Sequence, residues 1–215
     1  MFERFLYPSV CGFCNKILED GYICDECKQN IKCISSEYIP FVQTSYFDIL
    51  YCSYEYAGVV RKKMLDYKFN HKKYLCKTFA ENMIDKLKNR TDLKYDVIIA
   101  VPTSRKRKLQ RGYNQSELIA KLVAKAIKIP YEKNVIIKAK HNATQSKLGR
   151  NERIENVKNV FKITKDVNNK KVLLIDDIYT TGATVNECSK LLKKAGATNV
   201  TVFTVARATI NSHID

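Results

Sequence analysis

The chain has 215 residues, 45% of them hydrophobic, and a formal net charge of +16 from 38 Lys and Arg against 22 Asp and Glu. That length suits one medium domain, or a domain of roughly 100–150 residues with a small appendage, and that apolar content excludes intrinsic disorder. The charge favours polyanionic partners such as nucleic acid, phosphorylated metabolites or an anionic membrane surface, although a genome biased toward Lys, Asn and Ile gives the same count. The longest apolar runs, such as Val97–Pro102 and Val172–Ile175, are too short to cross a bilayer. The mixed N-terminus around Arg4 holds no apolar signal core. The expectation is a cytoplasmic, globular protein without membrane insertion.

Four of the eight cysteines fall in one short stretch, as Cys11-Gly12-Phe13-Cys14 and Cys24-Asp25-Glu26-Cys27. Paired knuckles of this spacing let four thiolates converge on one tetrahedral ion. Zinc suits the all-sulfur donor set, and iron also occupies such sites. With all four positions cysteine, the site is structural and leaves no open coordination position. Disulfides are the alternative, but a reducing compartment disfavours them. Cys33 is near enough to be a substitute ligand. Cys52, Cys76 and Cys188 are isolated and read as ordinary thiols.

Further along, residues 46–57 are aromatic and β-prone and read as a strand or hairpin. From Gly58 to Asn70, Val59, Val60, Met64, Leu65 and Phe69 recur at helical spacing. A second amphipathic helix, Tyr74 to Asn89, carries Leu75, Phe79, Met83, Ile84 and Leu87. The segment from Arg61 to Tyr74 mixes Arg61, Lys62, Lys63, Lys68, Lys72 and Lys73 with Tyr67, Phe69 and Tyr74. Basic grooves with aromatic platforms suit single-stranded nucleic acid, and a helix with a Lys-rich solvent face looks the same.

The rhythm then changes. Asp96–Pro102 is a continuous apolar run, as in a buried parallel strand. A helix is expected over Ser116–Lys128, strands at Val135–Lys138 and Val160–Ile163, and a second continuous strand at Lys171–Asp176. A helix over Val185–Ala195 and a strand at Val200–Val205 follow. This alternation predicts an α/β fold with a parallel sheet flanked by helices.

The most informative segment runs from Val172 to Thr184. A buried strand ends in Asp176 and Asp177, then Thr180, Thr181, Gly182, Ala183 and Thr184 lead into a helix. Ligands of open α/β sheets bind beyond the carboxyl ends of strands, and a helix N-terminus receives phosphate. Gly182 permits close backbone approach and the threonines add hydroxyl donors. The two acids would repel phosphate but suit the hydroxyls of a polyol, or a divalent metal. Phosphate at one end and a diol at the other is the shape of a ribose 5-phosphate.

This segment resembles the phosphoribosyl pyrophosphate (PRPP) signature of type I phosphoribosyltransferases. The wider pattern resembles the ComF family: the four-cysteine ribbon, Val101-Pro102, Arg111-Gly112-Tyr113-Asn114-Gln115, the Thr144-Gln145-Ser146 to Arg153 stretch, Asn156 and Phe161. The likeness runs from Cys11 to about Arg207. It implies a zinc ribbon over residues 1–45 and a phosphoribosyltransferase-like domain over 46–215, with a hood segment at 46–90 and a PRPP-binding core at 91–215. It implies an enzyme that transfers ribose 5-phosphate from Mg²⁺-bound PRPP to an acceptor it does not identify; the alternative is a single-stranded-DNA-binding competence factor with a catalytically silent or sensory PRPP pocket. In either, Asp176 and Asp177 hold the ribose hydroxyls, and residues 180 to 184 hold the 5′-phosphate. Thr103, Ser104, Arg105 and Arg111 meet the pyrophosphate, and residues 144–153 could close over it. ComF proteins are associated with natural competence, so single-stranded DNA and other competence proteins are the further expected partners.

Overall fold

The structure, a computed structural model, describes residues 9–34, 45–90, 92–139 and 159–208. Arg4, the Thr144–Arg153 stretch and Asn156 lie outside the described residues. The cysteine-rich unit opens with an antiparallel hairpin, β1 (Ser9–Val10) and β2 (Ile17–Leu18), followed by the short helix α1 (Asp25–Asn30). Then come β3 (Ile49–Glu55), α2 (Gly58–Phe69), α3 (Leu75–Lys88), β4 (Val97–Ala100), α4 (Arg105–Arg111) and α5 (Gln115–Ile127). The remainder is β5 (Ile136–Lys138), β6 (Phe161–Ile163), β7 (Lys171–Tyr179), α6 (Ala183–Lys194) and β8 (Asn199–Arg207).

Strands β3, β8, β7 and β4 form, in that order, a wholly parallel sheet. Strands β5 and β6 pair separately as an antiparallel ribbon. The expected strand or hairpin at 46–57 is the single strand β3, paired from Ile49–Thr201 to Glu55–Arg207. Its five central residues are all buried, as befits a strand covered on both faces rather than a half-solvated hairpin. Part of the segment assigned to a hood thus lies in the central sheet.

Alternation along the strands divides the core in two. Ile98, Leu173, Ile175, Phe203 and Val205 face α2, α3 and α5. Val97, Ile99, Val172, Leu174 and Val202 face α6 and the β5–β6 ribbon. The chain leaves β4, passes through α5 and bridges β4's outer edge at Tyr131, then returns to β7 on the inner edge. The strand order therefore reverses between β4 and β7. Helices α5 and α6 depart to opposite faces there, which opens a crevice at the strand ends.

Helix α3 buries Leu75, Phe79, Met83 and Leu87, as its spacing predicts. Helix α2 departs from expectation. Val60 and Met64 are buried, but Val59, Leu65 and Phe69 are exposed and Lys63, Asp66 and Tyr67 lie inside. Polar partners account for the difference. Asp66 accepts from Lys72 and Asn70 at 2.8 Å each, which holds its carboxyl below the usual range, and Lys63 reaches Asn15.

The cysteine unit shares the first core: Cys11, Phe13, Ile23 and Cys24 are buried with Tyr54 and Phe79. Phe13 meets both rings edge-on. Lys28 and the Tyr22 N–H both reach Glu81 on α3. Lys86 donates to the carbonyls of Ile34 and Cys52, tying the chain beyond the unit to β3. Gly12 packs directly on Thr78 of α3, where a methyl group would collide with the threonine side chain. Gly12→Ala is therefore expected to cost about 1–3 kcal/mol, read as a lower melting temperature; an unchanged melting temperature would show that the unit does not rest on α3. Among the described residues, no helix is long and apolar enough to cross a membrane.

Candidate functional site

Two constellations carry chemistry. In the first, the sulfurs of Cys11, Cys14, Cys24 and Cys27 lie within 4.8 Å of one another. A metal–sulfur bond of about 2.3 Å gives a tetrahedral edge of about 3.8 Å, and Cys14 and Cys24 stand 3.6 Å apart. In the structure all eight cysteines stand as free thiols. Cys33 is exposed and stands outside the cluster. Local backbone builds the knuckles: Cys11 N–H bonds the Lys16 carbonyl, and Cys24 caps α1, accepting from Cys27 N–H. Burial opposes ionisation of Cys11, yet backbone hydrogen bonds at Cys14, Cys24 and Phe13 bring its thiol down to about 6. Burial and neighbouring sulfurs push Cys27 up. The donor set fits a divalent, thiophilic ion. A cavity of about 200 Å³ lies beside this cluster, lined by Phe13, Ile23, Cys27 and Tyr54 among others.

The second constellation sits at the crevice. Strand β7 runs on to Tyr179, past the end of β4, so Asp176 and Asp177 belong to the strand rather than lying just beyond it. They are still paired to β8, with Asp176 opposite Thr204, while the β4 side is open beyond Val101 N–H to Ile175 O. Alternation turns Asp177 toward the face covered by α2 and α5, and Lys68 of α2 meets it at 2.9 Å, both groups mostly buried. Asp176 Oδ1 accepts from Ser116 Oγ and from the Asp177 N–H, each at 2.9 Å. Burial, with the neighbouring Asp177 charge, pushes the Asp176 carboxyl up to about 7.

Directly after β7, Thr180 is exposed, while Thr181 and Thr184 are partly covered. Gly182 precedes α6 with φ of 75°, and the Tyr179 ring fills the space a side chain there would need. Both the conformation and the contact require glycine. Thr181 Oγ1 accepts from Ala183 N–H. The first turn of α6 carries no acid and presents its N–H groups at the crevice.

Beyond β4, Thr103 and Ser104 are partly covered, and Ser104 caps α4 by accepting from Arg107 N–H. The basic segment after β4 is thus mostly a short helix, with Arg105, Lys106, Arg107 and Lys108 exposed. Arg111 is half-buried, bonds Gln115 Oε1 at 3.0 Å and lies over the Phe69 ring at 5.0 Å. Burial lowers its pKa, and the Asp177 charge opposes that. Asn114 caps α5 and donates to the Val101 carbonyl, fixing α5 against the end of β4. The structure therefore brings Arg111 within electrostatic reach of Asp177, beside Asp176, with residues 180–184 next along the chain. Arg105 points to solvent on the β4 side.

Sequence reasoning missed Ser116, one residue past the Arg111–Gln115 motif, and left Lys68 among cations of either a nucleic-acid surface or a solvated helix face. No local signal pairs Lys68 with a carboxylate so far along the chain.

The phosphoribosyl transferase domain family matches residues 113–211, which include α5, β7, the loop and α6. The chain is 39% identical over 116 residues to competence protein F of Haemophilus influenzae, covering 53% of this chain and 51% of that protein. It is 34% identical over 112 residues to DNA utilization protein YhgH of Escherichia coli O157:H7, covering 52% and 49%. To competence protein ComFC of Streptococcus pneumoniae it is 27% identical over 205 residues, covering 88% and 89%. The chain spans about half the length of the first two relatives. Among solved structures, a purine phosphoribosyltransferase from Pyrococcus horikoshii aligns with a TM-score of 0.42 at 20% identity, over 62% of this chain and 83% of that one. The parallel sheet flanked by helices, with the domain match, gives the chain a type I phosphoribosyltransferase-like fold. Its N-terminal four-cysteine cluster and its similarity to these competence proteins are consistent with the ComF family.

Proposed function

We propose that this chain is a competence-associated, phosphoribosyltransferase-type protein that binds Mg²⁺-PRPP in the crevice between β4 and β7. In this reading the N–H groups opening α6, with Thr180, Thr181 and Thr184, take the 5′-phosphate. Asp176 and Asp177 accept the ribose hydroxyls. Thr103, Ser104 and Arg111 serve the pyrophosphate side, with Arg105 free to swing in. Mg²⁺ would arrive with PRPP and offset the pyrophosphate charge. If turnover occurs, an acceptor nitrogen displaces pyrophosphate at the anomeric carbon, and the acid pair stands near the positive charge that develops there. The four cysteines hold a structural zinc ion, and reduced thiols suit a cytoplasmic setting.

The observation that carries this reading is the acid pair at the reversal of strand order, followed within a few residues by Gly182 and a helix N-terminus. The test is a thermal shift with the whole chain. At a hundred times its dissociation constant, Mg²⁺-PRPP should stabilise the fold by about 2.7 kcal/mol, a rise of several degrees. No rise in a well-folded protein, at any PRPP concentration up to millimolar, would overturn the reading.

A second reading rests on a different observation. Phe69 and Tyr74 are exposed aromatics at the end of α2 and start of α3, among the exposed Arg61, Lys62 and Lys73. Such a surface suits a single strand by charge and stacking, and the relative YhgH is named a DNA utilization protein. Single-stranded DNA binding here would fall steeply with salt, survive loss of Asp176 and Asp177, and weaken with Phe69→Ala.

A further inference from the structure

The contacts that hold the acid pair use one oxygen of each carboxylate. Asp176 commits Oδ1 to Ser116 and to the Asp177 N–H, and Asp177 commits Oδ2 to Lys68. Asp176 Oδ2 and Asp177 Oδ1 have no partner among the described residues. Two vicinal hydroxyls need two acceptors, and one open oxygen on each acid supplies them.

The two holding residues share a frame. Tyr67 OH donates to the Gln115 carbonyl at 2.9 Å, and Tyr113 OH donates back to the Tyr67 carbonyl at 2.6 Å. These reciprocal bonds lie one residue before Lys68 and one residue before Ser116. They lock the end of α2 to the start of α5, so the ammonium and the hydroxyl are set in register with the carboxylates they grip. Lys68 and Asp177 are only 17% and 16% exposed, which places the pair beyond an ordinary surface ion pair. Lys68 also lies outside residues 113–211, so the domain match does not contain it.

We propose that Lys68, with Ser116, is a positioning residue for the sugar. Each occupies the inner oxygen of one aspartate and turns the other oxygen toward one ribose hydroxyl. This rests on the reading of the crevice as a PRPP site. It extends that reading by making hydroxyl recognition depend on helix α2, outside the phosphoribosyl transferase match.

The test compares ribose 5-phosphate with its 2-deoxy and 3-deoxy analogues by calorimetry, using the whole chain. A hydrogen bond to a charged acceptor gives the parent a preference of at least about tenfold over each analogue. Lys68→Met should lose about tenfold for ribose 5-phosphate and lose its preference over one deoxy analogue, whose own binding barely changes. Lys68→Arg should restore most of that preference. Ser116→Ala, which removes only a hydroxyl, should erase the preference over the other analogue, and it carries the test if Lys68→Met does not fold. Full parental preference in both Lys68→Met and Ser116→Ala would overturn the positioning role and leave the PRPP site standing. A folded parent that binds neither ribose 5-phosphate nor Mg²⁺-PRPP would overturn the reading of the crevice itself.

Discussion

Asp176→Asn is expected to make the protein more stable above pH 7 while weakening its hold on Mg²⁺-PRPP. The folded Asp176 carboxyl is pushed up to about 7 by burial and by its neighbour Asp177. The unfolded chain ionises the same group near pH 4. Between those values the folded state binds more protons than the unfolded state, so stability falls as pH rises. The contribution is whole below about pH 4 and lost as pH climbs through about 7. Asparagine keeps an oxygen for Ser116 and carries no charge to bury. The partial exposure of Asp176 trims the full electrostatic cost, leaving an expected gain of about 1–3 kcal/mol at pH 8. Melting curves of parent and variant across pH 4–8 check this. The parent should lose stability over that range relative to the variant, and a variant less stable than the parent at pH 8 would contradict it. Weakened ligand binding in a stabilised variant cannot be ascribed to unfolding, which makes Asp176 the most informative single position. The trade is the usual one at a functional site, where a buried charge costs stability and supplies recognition.

Stripping the four-cysteine cluster is expected to have the largest effect on the fold. Structural zinc binding contributes about 10–16 kcal/mol in small metal-dependent units, as large as the whole stability of a typical domain. The unit of hairpin and short helix cannot replace that by burial alone. Its buried side chains are also part of the main core: Phe13 packs on Tyr54 and Phe79. Loss of the metal should therefore expose one flank of α3 as well as the unit itself. A strong chelator under reducing conditions should release one zinc ion per chain, and hydrogen-exchange protection should vanish over residues 9–34 and weaken along α3. Cys24→Ser should reproduce this, since Cys24 both joins the cluster and caps α1. Unchanged protection after complete metal removal would contradict the structural role.

Much of this was legible because the signals are local. The spacing of Cys11, Cys14, Cys24 and Cys27 announces convergence, and the structure brings their sulfurs together. The apolar runs of β4 and β7 lack alternation because both faces are buried, which marks a parallel sheet. Asp176 to Thr184 reads as an anion and polyol site because strand, acids, glycine and helix start are contiguous.

What escaped is set by distant contacts. Apolar spacing alone put Val59, Leu65 and Phe69 inside α2, because a periodicity argument does not foresee that Asp66 is satisfied by Lys72 and Asn70. Lys68 looked like one of several surface cations because its partner lies on β7, far along the chain from α2. Ser116 carries no mark of its role until α5 is seen capped by Asn114 and tied to Val101. The strand at 49–55 was visible, but its parallel pairing with β8 depends on residues at the far end of the chain.

In the proposed function, the acid pair and the loop after it build a ribose 5-phosphate pocket. Its most direct test is calorimetric titration of Mg²⁺-PRPP into zinc-loaded protein, beside the double variant Asp176→Asn/Asp177→Asn. The parent should show one binding event per chain, and the variant, while still melting cooperatively, at least a hundredfold loss. Equal binding by parent and variant, or none by a folded parent, would contradict it.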